Sequence, residues 1–185
     1  TAESELRDAP TLAPQTERSP YQAPVALEQG RRWYAGDLHV HSLQSGDAMD
    51  AIADLARAEG LDFVVVTDHN TTSHLDDLND AQARHPDVLF IPGMEFTTYD
   101  GHANAFGVSF WVDHRIGQPG ATIQAAFDAF AAQGALTSIN HPVLDPGDVC
   151  IGCAWAHEVP EGTTGIEVGA GGVSPWAGTS PPRPW

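Results

Sequence analysis

The chain has 185 residues, 42% apolar and 18% charged, which is enough apolar material for a buried core and too much for a wholly disordered chain. Eight arginines, no lysine and 25 acidic residues give a formal net charge of −17, which repels phosphate backbones, argues against nucleic-acid binding and would concentrate divalent cations. Apolar runs are only a few residues long, such as 63–66, so no transmembrane helix and no membrane partner is expected.

In chain order, Pro10, Pro14, Pro20 and Pro24 among polar residues make 1–32 an extended arm. A strand is expected over 33–41. Over 47–59 helical spacing puts Ile52, Leu55 and Ala56 on one face, and Gly60 ends the helix. The run D-F-V-V-V-T at 62–67 reads as a buried strand. A short acidic helix at 73–84 precedes strands at 88–96 and 102–110. The clearest helix is 122–133, where Ile123, Phe127 and Phe130 recur at helical spacing, Thr122 caps the start and Gly134 ends it. Strands at 135–140 and 165–168 complete the ordered portion, 33–168. The stretch 169–185, rich in Gly, Pro and Trp, shows neither period and reads as a tail. Strands alternating with helices imply parallel pairing with the helices packed outside.

Four polar segments interrupt this pattern at strand ends. In Gly36-Asp37-Leu38-His39-Val40-His41-Ser42 the two histidines point to one face of a strand, about 7 Å apart, close enough to share a metal ion. Asp37 lies on that face and could accept an imidazole N–H, fixing the tautomer. Thr67-Asp68-His69-Asn70 follows the buried run, where α/β folds place their sites. Gly93-Met94-Glu95, followed by Gly101-His102, is the third, and Ile139-Asn140-His141-Pro142 the fourth. Imidazole and carboxylate gathered at one mouth suit zinc, manganese or iron.

Taken in this order, D-L-H-V-H-S, T-D-H-N, G-M-E-F-T-T, G-H-A-N and I-N-H-P resemble the successive motifs of the polymerase-and-histidinol-phosphatase (PHP) superfamily of metallohydrolases, over about residues 33–142. The G-H-A-N-x-F-G and C-x-G-C-x-W features are similar to a branch that includes carbamate (carbaryl-type) hydrolases. The resemblance implies an α/β fold, a distorted (β/α)7 TIM-like barrel, with two or three divalent ions (Zn, Mn or Fe) at its C-terminal mouth. It implies that His39 and His41 bind a first metal and that Glu95 bridges to a second, completed by His102 and His141. His69, with Asp47, would serve a third. The family's closing Asp-x-His motif is absent, since no D-x-H follows His141 and the only later histidine, His157 in A-H-E, has a different context. The portion 33–168 is also short against the roughly 250 residues of a typical barrel. The barrel is therefore expected to be incomplete at its C-terminus, which favours a homo-oligomer or a missing C-terminal segment.

The activity so implied is metal-dependent hydrolysis of a small molecule, a metal-bridging hydroxide cleaving a phosphoester or a carboxylic or carbamate ester. Asp37 and Asp68 are the candidate catalytic acids, although for Asp68, adjacent to His69, shaping the turn or orienting a ligand is favoured over catalysis. Scarce basic residues shift the expectation somewhat toward a neutral ester or carbamate, or leave a phosphate to the metals. The alternative is a non-catalytic metal-binding or assembly domain derived from the PHP fold, which the missing motif favours. His74, His85, His114 and His157 read as surface or capping groups, Asp76, Asp77 and Asp80 as a solvated face, and Trp33, Tyr34 and Trp111 as core or rim packing. Cys150 and Cys153, in C-I-G-C, could form a disulfide, stay reduced or join a mixed site, and a disulfide or loop staple is favoured over redox catalysis. A periplasmic or secreted location is favoured over a cytoplasmic one.

Overall fold

The computed structural model describes residues 33–42 and 48–169. The expected arm 1–32, Asp47 and the tail beyond residue 169 lie outside the described residues. The elements are β1 (Gly36–Val40), α1 (Ala48–Glu59), β2 (Phe63–Val66), α2 (Leu75–Arg84), β3 (Leu89–Thr98), β4 (Gly101–Phe106), α3 (Ile123–Ala132), β5 (Leu136–Ile139) and β6 (Gly165–Ile166). Each falls within or close to an expected segment. Thr122 caps α3 as its sequence suggests, its hydroxyl accepting Ala125 N at 3.1 Å. No described helix is long and apolar enough to cross a membrane.

The architecture is mixed α/β. All six strands form one sheet in the order β1-β2-β3-β4-β5-β6. The expectation of uniformly parallel pairing is corrected: β3–β4 and β4–β5 are antiparallel, while β1–β2, β2–β3 and β5–β6 are parallel. Only Tyr99 and Asp100 separate β3 from β4. A parallel pair needs a crossover of a dozen residues or more, so this link can only make a hairpin. The expected (β/α)7 pattern is thus broken at β3–β4, where no helix intervenes.

Helix α1 buries Met49, Ile52, Ala53 and Ala56 against the sheet, and α2 buries Leu75, Leu78, Ala81 and Gln82. Leu55, expected on the buried face of α1, is instead 66% exposed. Phe127 and Phe130 of α3 are buried, and Phe130 meets Phe96 of β3 edge-on at 5.7 Å. Trp33, expected to pack, is fully exposed.

The sheet is strongly curled. Glu167, just beyond β6, lies 3.3 Å from His39 of β1. In a flat sheet, five strand spacings of about 4.8 Å would hold them roughly 24 Å apart. Asn104 of β4 likewise reaches β1, its Nδ2 donating to Leu38 O at 3.1 Å. Curling gathers the strand ends, and the polar segments meet there.

Candidate metal centre

Glu95 of β3 is the hub, 0% exposed. Backbone pairing places it: Glu95 N donates to Asp68 O at 3.1 Å and Asn70 N to Glu95 O at 2.9 Å, so His69 stands beside it. The Asn70 amide locks this register, Nδ2 donating to Thr97 O and Oδ1 accepting Thr97 N, both at 2.9 Å. Asn70 takes a φ of 51°, a left-handed conformation that Asn tolerates better than most residues.

Five imidazoles surround the Glu95 carboxylate. Oε2 faces His39 Nε2 and His41 Nε2 at 3.3 Å each and His69 Nδ1 at 2.9 Å. Oε1 faces His102 Nδ1 at 3.2 Å and His141 Nε2 at 3.6 Å, and accepts Asn140 Nδ2 at 3.0 Å. His141 has a φ of 26°, which a non-glycine residue rarely adopts and which is typical of functional sites.

The far sides of two of the rings favour one neutral tautomer. His102 Nε2 lies 3.2 Å from Ile151 O, and His141 Nδ1 lies 3.2 Å from Cys153 O. A carbonyl only accepts, so those nitrogens carry the proton in a neutral ring. The opposite nitrogens then aim lone pairs at a carboxylate. Glu95 Oε2 is buried and makes no hydrogen bond of acceptable geometry, despite three neighbouring imidazole nitrogens. Neutral His102 and His141 rings turned to Oε1, and an unbonded Oε2 among three imidazole nitrogens, are both costly unless a cation stands between ring and carboxylate. The donor set therefore fits divalent metal ions, and imidazole with carboxylate suits Zn, Mn or Fe. Donor atoms of His39, His41 and Glu95, and of His69, Glu95 and His102, each lie within 4.8 Å of one another.

Burial would raise the Glu95 carboxyl, but the facing His102, His141, His39 and His69 rings hold it far below the usual carboxylate range. Burial likewise lowers His39 and His141, but the Glu95 and Glu167 carboxylates, joined at His141 by the Cys153 carbonyl, outweigh it and raise both. For His41 burial prevails, helped by the His69 and His39 rings, and its pKa is lowered.

The structure thus brings together His39, His41, His69, Glu95, His102 and His141; Asp47 lies outside the described residues. Asp37 does not accept an imidazole N–H. Its Oδ1 accepts the backbone N–H of His39 at 2.9 Å, because a short side chain on an exposed strand reaches its own neighbour first. Asp68 faces no imidazole of the cluster either. Its oxygens accept Ser42 N at 2.6 Å and Ser42 Oγ at 2.5 Å, and His74 Nδ1 lies at 3.2 Å. Burial would raise Asp68, but His74 and Ser42 hold it at about 2. It ties the segment after β1 to the end of β2. His74, expected at the surface, is accordingly buried; His85 pairs with Asp50, and His157 with Thr98 Oγ1.

Sequence reasoning missed three groups. Glu167 places Oε1 3.3 Å from His39 Nδ1, and its Oε2 accepts His141 N at 2.9 Å. Asn140 holds Glu95, and Thr97 Oγ1 contacts His69 Nδ1 at 2.7 Å. Only Glu167 left a signal, as a lone acid in the last apolar strand, G-I-E-V.

The fold and site define a mixed α/β chain with a histidine cluster built around one buried carboxylate. No protein-family model and no curated protein matches the sequence. Among solved structures the chain is similar to a two-domain protein from Bacteroides vulgatus containing a predicted PHP-like metal-dependent phosphoesterase, at 26% identity and a TM-score of 0.48 over 71% of this chain and 42% of that one. The chain thus spans about two fifths of that protein's length. It is similar to a protein from Bifidobacterium adolescentis, assigned by prediction as a metal-dependent phosphoesterase, at 13% identity and a TM-score of 0.47, covering 72% of this chain and 77% of that one. It is also similar to an amidohydrolase from Chromobacterium violaceum, with bound sulfate and no metal, at 15% identity and a TM-score of 0.45, covering 62% and 69% of the two chains.

Proposed function

We propose that this chain is a metal-dependent hydrolase of the PHP type, cleaving a phosphoester or a carboxylic or carbamate ester. The observation that carries this reading is Glu95, fully buried, with its two oxygens turned to different sets of imidazoles. His39, His41 and Oε2 would hold one ion, and His102, His141 and Oε1 a second. His69 faces Oε2 on the open side, where its ring stacks on that of His41 at 4.5 Å. When bound, such ions lower the pKa of a water and polarise the substrate oxygen. Asn140 and the strand backbone hold Glu95 still, so that its two oxygens keep their separate orientations.

A cavity of about 740 Å³ adjoins the cluster at Asn70 and Thr97 and continues past Tyr99, Arg115, Ile116 and Ile151. Arg115 lines it, yet its guanidinium is paired with Asp113, Nε to Oδ1 at 2.9 Å and Nη2 to Oδ2 at 2.7 Å. A guanidinium already matched by a carboxylate offers little to a phosphate. This supports an uncharged organic group in the cavity, and so a neutral ester or carbamate.

Elemental analysis with turnover of p-nitrophenyl phosphate, p-nitrophenyl acetate and a naphthyl carbamate tests the reading. The expected result is bound divalent metal with hydrolysis of at least one substrate. Glu95→Gln should lose both while keeping its circular dichroism. Metal without turnover on all three would point to a binding domain, and absence of metal would end the reading.

A further inference from the structure

We propose that the loop closed by the Cys150–Cys153 disulfide is a positioning element for His102 and His141, and that opening it weakens the ion those two rings would hold. The inference rests on the metal-centre reading above.

The loop is four residues long, C-I-G-C, and the two cysteines are bonded. Within that length it supplies two carbonyl acceptors to two different rings, Ile151 O to His102 Nε2 and Cys153 O to His141 Nδ1, each at 3.2 Å. Both contacts fall on the nitrogens opposite those facing Glu95. The loop therefore sets ring orientation and tautomer together, as outer partners of metal-bound histidines do.

Its seat is specific. Gly152 has a φ of 77°, and a Cβ there would collide with Thr98 O and the Tyr99 backbone. The chain that follows is strapped to the same β3–β4 hairpin, which also carries Glu95 and His102. Ala156 N donates to Asp100 O at 2.7 Å, Trp155 N donates to Pro142 O at 3.0 Å, and the Trp155 ring covers Gly101. Cys153 is 3% exposed, so the disulfide anchors the loop on its buried side. Without the cross-link, 150–153 gains freedom and the two carbonyls lose their fixed aim.

The test is Co(II) titration of the metal-free full chain, followed by visible d–d absorption and chelator competition. Three samples are compared with the oxidised protein: protein reduced with a phosphine that is then removed without air, the double variant Cys150→Ala/Cys153→Ala, and Gly152→Ala with both cysteines intact. In the reduction, the sulfur–sulfur bond takes up two electrons and two protons to give two thiols, while the phosphine becomes its oxide with the oxygen of one water. We expect the oxidised protein to bind two ions. In all three altered samples one ion should bind about 10–100-fold more weakly with shifted bands, and the other as before.

Unchanged titrations after reduction would overturn the proposal. So would tighter binding, which would mean that Cys153 Sγ, within 4.8 Å of the His102 and His141 donor atoms, joins the ion as a thiolate. Equal loss of both ions with a lower melting temperature of the metal-free form would show general loosening and also overturn it. Failure of the oxidised protein to bind Co(II) at all would overturn the metal-centre reading itself, and the proposal with it.

Discussion

Glu167 touches His39 through one oxygen and the backbone of His141 through the other. It thereby links a ring on the first strand to the strained residue after the fifth. Replacing Glu167 by Gln keeps the shape but removes the charge that favours the His39 Nδ1–H. The expected outcome is about a 10–100-fold loss of metal affinity, read by chelator competition, with a metal-free fold close to that of the parent protein. The side chains of the cluster were legible in the sequence, since His39 and His41 stand two apart on a strand and Glu95, His102 and His141 fall in recognisable segments. Glu167 was not, because 128 residues separate it from His39 and only the curl of the sheet joins them. Asp37 misled for the opposite reason. Spacing put it on the right face, but spacing does not say that a short carboxylate bonds the N–H two residues along its own strand.

Elements were legible where one periodicity ran unbroken, as in α3 with its Thr122 cap and in the β2 run. Their pairing was less so, because the rule that alternating strands and helices pair in parallel fails where a two-residue link replaces a helix. A second tie between elements lies on the outer face. Arg57 of α1 clamps Asp87, in the loop before β3, through Nε to Oδ2 at 2.7 Å and Nη2 to Oδ1 at 2.8 Å. Arg57 holds the Asp87 carboxyl at about 2, below its ordinary value of 3.8. A carboxyl depressed in this way stabilises the fold fully above pH 4 or so, and that contribution disappears as pH falls through about 2. Arg57→Ala should therefore lower the melting temperature at pH 7, by no more than about 4 °C because the pair is exposed. The difference from the parent protein should shrink towards pH 2. Melts of Arg57→Ala and Asp87→Asn between pH 2 and 7 check this, and a difference independent of pH would assign the effect to packing of the arginine stem.

For the whole molecule, the histidine cluster around Glu95 is where the curled sheet is cross-tied. His39 and His41 come from β1 and the residue after it, His69 from the end of β2, Glu95 from β3, His102 from β4 and His141 from the end of β5. No other cluster of metal-donor groups among the described residues spans so many strands. Without an ion, this centre leaves a buried carboxylate oxygen with no hydrogen bond among three imidazole nitrogens. With one, the same groups hold the strand ends together, so binding should favour the folded state strongly. At a free metal concentration 100 times the dissociation constant, the gain is about 2.7 kcal/mol. For a chain of this size that corresponds to a rise in melting temperature of roughly 5–11 °C. Differential scanning fluorimetry of the protein stripped with EDTA and then titrated with Zn or Mn should show this rise. Glu95→Gln, which removes the shared charge but keeps the side-chain volume, should show little of it. An equal rise in the Glu95→Gln variant would place the stabilising ion elsewhere and separate the stability of the curled sheet from the histidine cluster.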